Sequence, residues 1–178
     1  MIHIEVSASV YPTEDPEKVS RAISRMFEGI EINISEVSGV SEISEVFETS
    51  EVSETAGPAG SGQGTGPVFR LTGEGGIELL NTLHRIFREE SIIDSVRKKA
   101  FNKGLSMDGR SVRFLLDKQV AFVGFASFPP EEKPLDSIEV HITAGSFPEM
   151  ERLSEWLLPL TEDGKPIIEV GMDYVEGV

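Results

Sequence analysis

The sequence contains no cysteine, which excludes a disulfide framework, a thiolate nucleophile and a Cys-ligated zinc or iron–sulfur site. Only three histidines occur in 178 residues, and their wide spacing leaves little for another transition-metal site, so we expect no cofactor. No apolar run approaches the roughly 20 residues that span a bilayer. The opening MIHIEVSAS alternates apolar and polar residues, unlike a signal peptide. We therefore expect a cytoplasmic protein with no membrane contact.

Positive charge is also scarce, because 16 Lys and Arg stand against 31 Asp and Glu, for a net charge of −15. The distribution of charge along the chain is uneven. Residues 31–54 contain seven glutamates and no Lys or Arg, whereas residues 84–118 contain nine cations and five acidic residues. A basic middle segment therefore interrupts an acidic chain.

The acidic stretch is repetitive, since Ser-Glu pairs recur from Ser35 to Glu54 and lead into the Gly-, Ser- and Pro-rich residues Ala56 to Pro67. Such a composition buries too little apolar surface to offset the entropy of ordering. We predict a single domain over residues 1–178 with a flexible insert at about 37–66. A second interpretation makes this insert an acidic arm that folds over the basic segment or binds a partner.

Periodicity of apolar residues predicts the secondary structure, because a period of two favours strands and a period near 3.6 favours helices. Predicted strands cover residues 2–10, 30–34, 68–72, 112–117, 119–125 and 138–142, with an edge strand expected at 166–170. Predicted helices cover residues 16–28, 77–90, 92–103 and a segment from the Ser146–Glu149 capping box to Pro159. Strands occur in adjacent groups as well as between helices. This order predicts an α+β domain with a mixed or mainly antiparallel sheet and helices packed on one face.

Few residues suggest catalysis. The segment Thr72–Gly76 is predicted as a turn between a strand and a helix, where backbone amides can hold phosphate, but it lacks the spacing of a nucleotide-binding motif. His3 and His141 fall on the polar faces of their strands, near Glu5 and Glu139, and could form a metal or acid–base site only if those strands were neighbours. His84 is expected to meet solvent. We predict no catalytic, cofactor-binding or metal-binding residue and no enzyme.

The basic segment is the remaining candidate. Several cations on one surface bind nucleic acid because each phosphate contact releases a condensed counterion. The residues that could form such a surface are Arg97, Lys98, Lys99, Lys103, Arg110, Arg113 and Lys118. A solvated charged face is the alternative, since Asp94 and Lys98 have the spacing of a helical ion pair. The residues alone leave these two interpretations open.

Three blocks of the sequence resemble, in the same order, an uncharacterised family of small archaeal proteins. The blocks are Val10–Val19, Ile92–Arg97 and Leu116–Gly124, and the resemblance covers about residues 2–34 and 68–161. It implies a fold like that of the large-subunit ribosomal protein that binds 5S RNA, and a relationship to predicted exosome-associated RNA-binding proteins. Arg97 and Lys118 lie in the matching blocks, so the resemblance implies an RNA role for them.

The first functional hypothesis is therefore a non-enzymatic domain that binds phosphates of structured RNA through the basic residues between Arg97 and Lys118. The alternative is a protein-interaction or assembly module that forms a homodimer or holds a basic partner against the acidic insert. A third hypothesis is an enzyme that acts on a phosphorylated metabolite at Gly73–Gly76.

Overall fold

A five-stranded antiparallel sheet organises the computed structural model, which describes residues 1–37, 66–129 and 137–177. Its strands are β1 (His3–Val10), β2 (Asn33–Val37), β3 (Val68–Gly75), β4 (Ser111–Asp117) and β5 (Ser137–Thr143). They lie in the order β2-β3-β1-β5-β4, and every neighbouring pair is antiparallel. The expected α+β class and antiparallel sheet are thus confirmed.

Alternation along each strand decides which sheet face is buried. Ile4, Val6 and Ala8 of β1 lie beside Ile138, Val140 and Ile142 of β5, and all six side chains are buried. The side chains between them point to the opposite face, which we call the open face. Its outward residues on strands β1, β3, β4 and β5 include His3, Glu5, Ser7, Arg70, Thr72, Glu74, Arg113, Glu139 and His141.

The helices supply the apolar side chains that cover the buried face. They are α1 (Pro16–Met26), α2 (Asn81–Glu89), α3 (Ile93–Val96), α4 (Asn102–Gly104), α5 (Lys118–Phe122), α6 (Phe147–Leu157) and α7 (Met172–Glu176). A 3₁₀ turn, Ile77–Leu80, precedes α2, and a π-helical turn, Arg97–Phe101, joins α3 to α4. The Asp15 carboxylate accepts from the backbone N–H of Glu17 at the start of α1, as the sequence predicts for an N-cap.

The segment after β4 differs from its prediction as a strand over residues 119–125. It forms helix α5, because the carboxylate of Asp117 accepts from the backbone N–H groups of Gln119 and Val120, each at 2.9 Å. This cap satisfies amide groups that a first helical turn leaves unpaired. A local hydrogen bond therefore outweighs the apparent alternation of apolar residues.

The glycine-rich segment is also different from its prediction as a turn. Gly73 and Gly75 belong to β3 and lie opposite Val6 and Ile4. A side chain at Gly73 would collide with Ile30, so glycine is needed there for close packing rather than for a phosphate loop. The N–H of Gly76 donates to the carboxylate of Glu78, so this amide already has an anionic partner.

The C-terminal region adds no edge strand to the main sheet. Residues Thr161–Glu162 and Lys165–Pro166 form a separate two-stranded pair, β6 and β7. The predicted insert lies mostly outside the described residues, as does the Pro-rich connection from Pro130 onward. Within the described residues, no helix is long and apolar enough to cross a membrane.

Candidate nucleic-acid interface

The helical segment from Ile93 to Gly104 carries three exposed lysines. Ile93, Val96 and Phe101 are buried in the core, which turns Lys98, Lys99 and Lys103 to the surface. The π-helical turn between α3 and α4 inserts an extra residue per turn at this point. These three lysines therefore share the outer side of one short segment.

Gly104 brings this segment directly against β4. A Cβ atom at Gly104 would overlap the carbonyl oxygen of Arg113, so no larger residue fits without moving the helix away. The chain then continues into a β-bridge between Leu105 and Val112. As a result, Lys99, Lys103 and Arg113 line one shallow cavity of about 180 Å³.

Arg113 connects that cavity with the open face. Its Nε atom lies 3.1 Å from the carboxylate of Glu139, and a second arginine, Arg70, approaches the same carboxylate at 3.9 Å. Both arginines also line a cavity of about 480 Å³ on the open face. Arg70 lies outside the basic segment of the sequence, so its contribution depends on the pairing of β3 with β1.

Arg110 is exposed but engaged in its own turn. Its backbone N–H and guanidinium both donate to Asp108, with the side-chain contact at 3.1 Å. Hydrogen bonds from Ser106 and Arg110 lower the pKa of Asp108 to about 2. The Arg110–Asp108 pair therefore has little net charge to offer a phosphate.

Arg97 is partly buried, and its guanidinium is held by the chain that follows α6. Its Nη2 donates to the backbone carbonyls of Leu158, at 2.6 Å, and Pro159, while Nη1 pairs with Asp94 at 3.1 Å. These carbonyls follow the C-terminal end of α6, where unpaired carbonyl groups and the helix dipole both favour a cation. The expected phosphate contact of Arg97 is thus replaced by a structural one.

Lys118 is also turned inward, with 4% of its surface exposed. Its ammonium group donates to the carbonyl of Ser9 at 2.6 Å and to the carboxylate of Glu14 at 3.0 Å, and it lies 5.4 Å from the ring centre of Tyr11. The structure corrects the expectation for Lys118, because a buried and fully hydrogen-bonded ammonium cannot reach a phosphate.

His3 and His141 lie on the polar faces of their strands as the sequence predicts, and only His84 differs from its expected position. β1 and β5 are neighbours, and Nδ1 of His141 lies 3.1 Å from the carboxylate of Glu5. His3 lies 3.5 Å from Glu74 of β3. His84 does not simply face solvent, because its ring stacks on Trp156. The contact between His3 and Glu74 depends on the pairing of β1 with β3, which no local sequence pattern predicts.

Comparison with known proteins supports one family. A family model described as RNA binding matches residues 3–144, which include the whole main sheet and all the candidate cations. The chain is 55% identical over 176 residues to a UPF0201 protein from Methanosarcina acetivorans, covering 99% of this chain and 96% of that relative. The chain belongs to the UPF0201 family.

Other members of the family extend this finding. A UPF0201 protein from Methanopyrus kandleri is 32% identical over 170 residues, covering 94% of this chain and 91% of the relative. The crystal structure of a UPF0201 protein from Methanococcus jannaschii superposes with a TM-score of 0.69 at 22% identity, covering 93% of this chain and 99% of that chain. At 22% identity, the likeness to the Methanococcus jannaschii structure concerns the fold alone. The archaeal family resemblance found in the sequence is thus confirmed.

Proposed function

We propose that this protein binds structured RNA without catalysing a reaction, and that Lys98, Lys99, Lys103 and Arg113 contact RNA phosphates. The convergence of Lys99, Lys103 and Arg113 at one cavity is the observation that carries this proposal. The match to a family described as RNA binding supports it independently. The interface leaves out Arg97 and Lys118, whose charged groups are hydrogen-bonded within the protein. It also leaves out Arg110, which pairs with Asp108.

The four cations differ in how far their charge is already neutralised. Among the described residues, Lys98 and Lys99 have no ion-pair partner, whereas Arg113 shares Glu139 with Arg70. The open face beside them is mixed in charge, since Glu5, Glu74 and Glu139 lie on it with the two arginines. A polyanion that approaches this surface therefore meets least repulsion at Lys98 and Lys99.

The composition of the open face favours a structured RNA over a single strand. Sequence-specific binding of single strands uses aromatic side chains on which unstacked bases lie. No Phe, Tyr or Trp occupies an outward position of the described strands β1, β3, β4 and β5. Phosphate contacts to a folded RNA need only positioned cations. The proposed resemblance to the 5S-RNA-binding ribosomal fold makes 5S ribosomal RNA the first RNA to test.

Charge reversal tests the proposed interface. We expect Lys98→Glu, Lys99→Glu and Lys103→Glu together to abolish binding of labelled archaeal 5S ribosomal RNA, measured by fluorescence anisotropy. The control combines Lys18→Glu, Arg21→Glu and Lys165→Glu, which change the net charge equally at exposed sites elsewhere. Wild-type affinity should fall steeply with salt, with a log–log slope of roughly −3.6 for four phosphate contacts with a double-helical RNA.

Two results would contradict the proposed interface. Equal losses in the two triple variants would mean that binding depends on total charge and not on this surface. Undiminished binding in the Lys98–Lys103 variant would place the RNA elsewhere. Total archaeal RNA, tested in parallel, separates a preference for 5S ribosomal RNA from general binding of folded RNA.

A second candidate function is self-association. Leu160, Ile167 and Ile168 are 72%, 59% and 71% exposed and line an apolar cavity of about 410 Å³ beside α6. Apolar side chains gathered in this way are typical of protein-interaction surfaces. The test is sedimentation equilibrium of the wild type against Leu160→Ser/Ile168→Ser. A monomeric wild type would exclude a homodimer through this surface.

A further inference from the structure

The start of β1 brings three metal-ligating side chains together on the open face. Glu5 of β1 and Glu74 of β3 are cross-strand partners, and His3 precedes Glu5 by two residues on the same side of the strand. The Nε2 atom of His3 lies 3.5 Å from Glu74 and 3.9 Å from Glu5. One ligand atom from each of the three side chains lies within 4.8 Å of the other two.

These separations match the ligands of a small divalent ion. Two ligand atoms that bind a tetrahedral Zn²⁺ at about 2.0–2.1 Å lie roughly 3.3 Å from each other. The observed distances of 3.5 and 3.9 Å therefore need only small side-chain rotations to close around an ion. All three residues are exposed, which leaves their side chains room for these rotations.

The electrostatics of the strand pair also favour a cation. Like charges placed directly opposite one another in an antiparallel pair destabilise a sheet. Glu5 and Glu74 occupy such opposite positions, and neither carboxylate has a Lys or Arg partner among the described residues. A divalent ion between them would replace this repulsion with two attractive contacts.

His141 on the other side of β1 holds the Glu5 carboxylate in place. Its Nδ1 atom lies 3.1 Å from Oε2 of Glu5, while Oε1 of the same carboxylate is the atom nearest His3. Hydrogen bonds to the second oxygen of a ligating carboxylate orient the first one toward a metal. β5 thus supports a site whose ligands come from β1 and β3.

We propose that His3, Glu5 and Glu74 bind one divalent transition-metal ion of the Zn²⁺ class, with His141 as a positioning residue. The imidazole ligand selects Zn²⁺, Co²⁺ or Ni²⁺ over Mg²⁺ and Ca²⁺, which prefer oxygen ligands alone. Three protein ligands leave at least one coordination position for water. The site is on the open face, separate from the three lysines of the proposed RNA interface.

Calorimetric titration of the full, tag-free chain with ZnCl₂ tests this site. We expect one Zn²⁺ per wild-type chain at micromolar concentrations, and at least tenfold weaker binding in His3→Ala and in Glu74→Gln. His141→Phe should weaken binding by a smaller factor, since it removes only the support of Glu5. Glu36→Gln, an exposed carboxylate on β2, is the matched control and should bind as the wild type does.

A second measurement reports the ligands directly. Co²⁺ bound by the wild type should give visible absorption bands of a nitrogen–oxygen site, and these bands should disappear in the His3→Ala/Glu74→Gln double variant. Circular dichroism of each variant shows that the sheet is retained. The proposal would be overturned if the double variant bound Zn²⁺ as tightly as the wild type does. It would also be overturned if the wild type bound no Zn²⁺ at 100 µM. No RNA is present, so the result is independent of the proposed function.

Discussion

His84 of α2 stacks on Trp156 of α6, with the ring centroids 4.5 Å apart and an angle of 16° between the ring planes. The Nε2 atom of His84 is buried and, within the described residues, has no hydrogen-bond partner. Burial, followed by the nearby charge of Arg88, lowers the pKa of His84 from 6.5 to about 4. The contact that joins these two helices therefore requires a neutral imidazole.

This contact predicts that stability falls as the pH is lowered. Between about pH 6.5 and pH 4 the unfolded chain binds a proton on His84 that the folded chain does not, so the free energy of unfolding decreases in that window. We expect a loss of about 2 kcal/mol, less than the full shift implies, because the ring is only partly buried.

His84→Phe isolates this effect, because phenylalanine retains an aromatic ring against Trp156 and does not titrate. Urea unfolding of both proteins at pH 7, 5.5 and 4.5 gives the difference in unfolding free energy. We expect the variant to lose less stability on acidification than the wild type. If the unfolding free energies of the two proteins fell by the same amount as the pH was lowered, groups other than His84 would cause the acid sensitivity.

Arg97 should contribute to stability and not to RNA affinity. Its guanidinium joins the π-helical turn after α3 to the chain after α6 through the carbonyls of Leu158 and Pro159. Arg97→Gln should lower the free energy of unfolding by about 2–3 kcal/mol, because charge-assisted hydrogen bonds are lost and partly buried carbonyls become unpaired. Lys98→Gln, at the exposed neighbouring position, should change it by less than about 0.5 kcal/mol.

The RNA affinities of Arg97→Gln and Lys98→Gln should show the opposite order to their losses of stability. At a temperature where both are folded, Lys98→Gln should weaken binding and Arg97→Gln should leave it unchanged. A loss of RNA affinity in Arg97→Gln at full stability would assign Arg97 to the interface after all.

Replacement of the acidic residues between β2 and β3 tests their electrostatic effect. Val37 and Val68 are cross-strand partners, so Asn-Gly in place of residues 38–65 would leave a short hairpin loop. This removes five glutamates. We expect RNA affinity at 50 mM salt to rise by about threefold to tenfold and the difference to vanish at high salt, because the repulsion is screened.

A second variant separates charge from chain length. The five glutamates between residues 38 and 65 are changed to glutamine in the full-length chain. This variant should bind RNA as tightly as the shortened protein does. Weaker binding of either protein than of the wild type would indicate that these residues contact the RNA favourably.

Secondary structure is predictable wherever one local signal dominates. The alternation in β1 and the capping box at Ser146 lead to the observed strand and to α6. The prediction is wrong at α5, where apolar residues alternate but the Asp117 cap starts a helix. It is wrong also at Gly73, where a glycine is needed for contact with Ile30, a residue far away in the sequence.

The candidate sites are less predictable than the fold. The sequence brings seven cations to attention but does not distinguish Lys99, which is exposed, from Lys118, which is buried. Arg70 is not among the predicted cations, because it lies outside the basic segment. Each of these outcomes depends on which element packs against the residue, and a count of charges along the chain contains no such information.

The sequence alone determined the α+β class, the acidic balance, the lack of any cysteine chemistry and the family, because these depend on composition and on neighbouring residues. Tertiary structure decided which cations face solvent, that His84 lies against Trp156, and that His3 meets Glu74. The physical reason is strand register and helix packing, which join residues distant in sequence and bury some charged groups while exposing others.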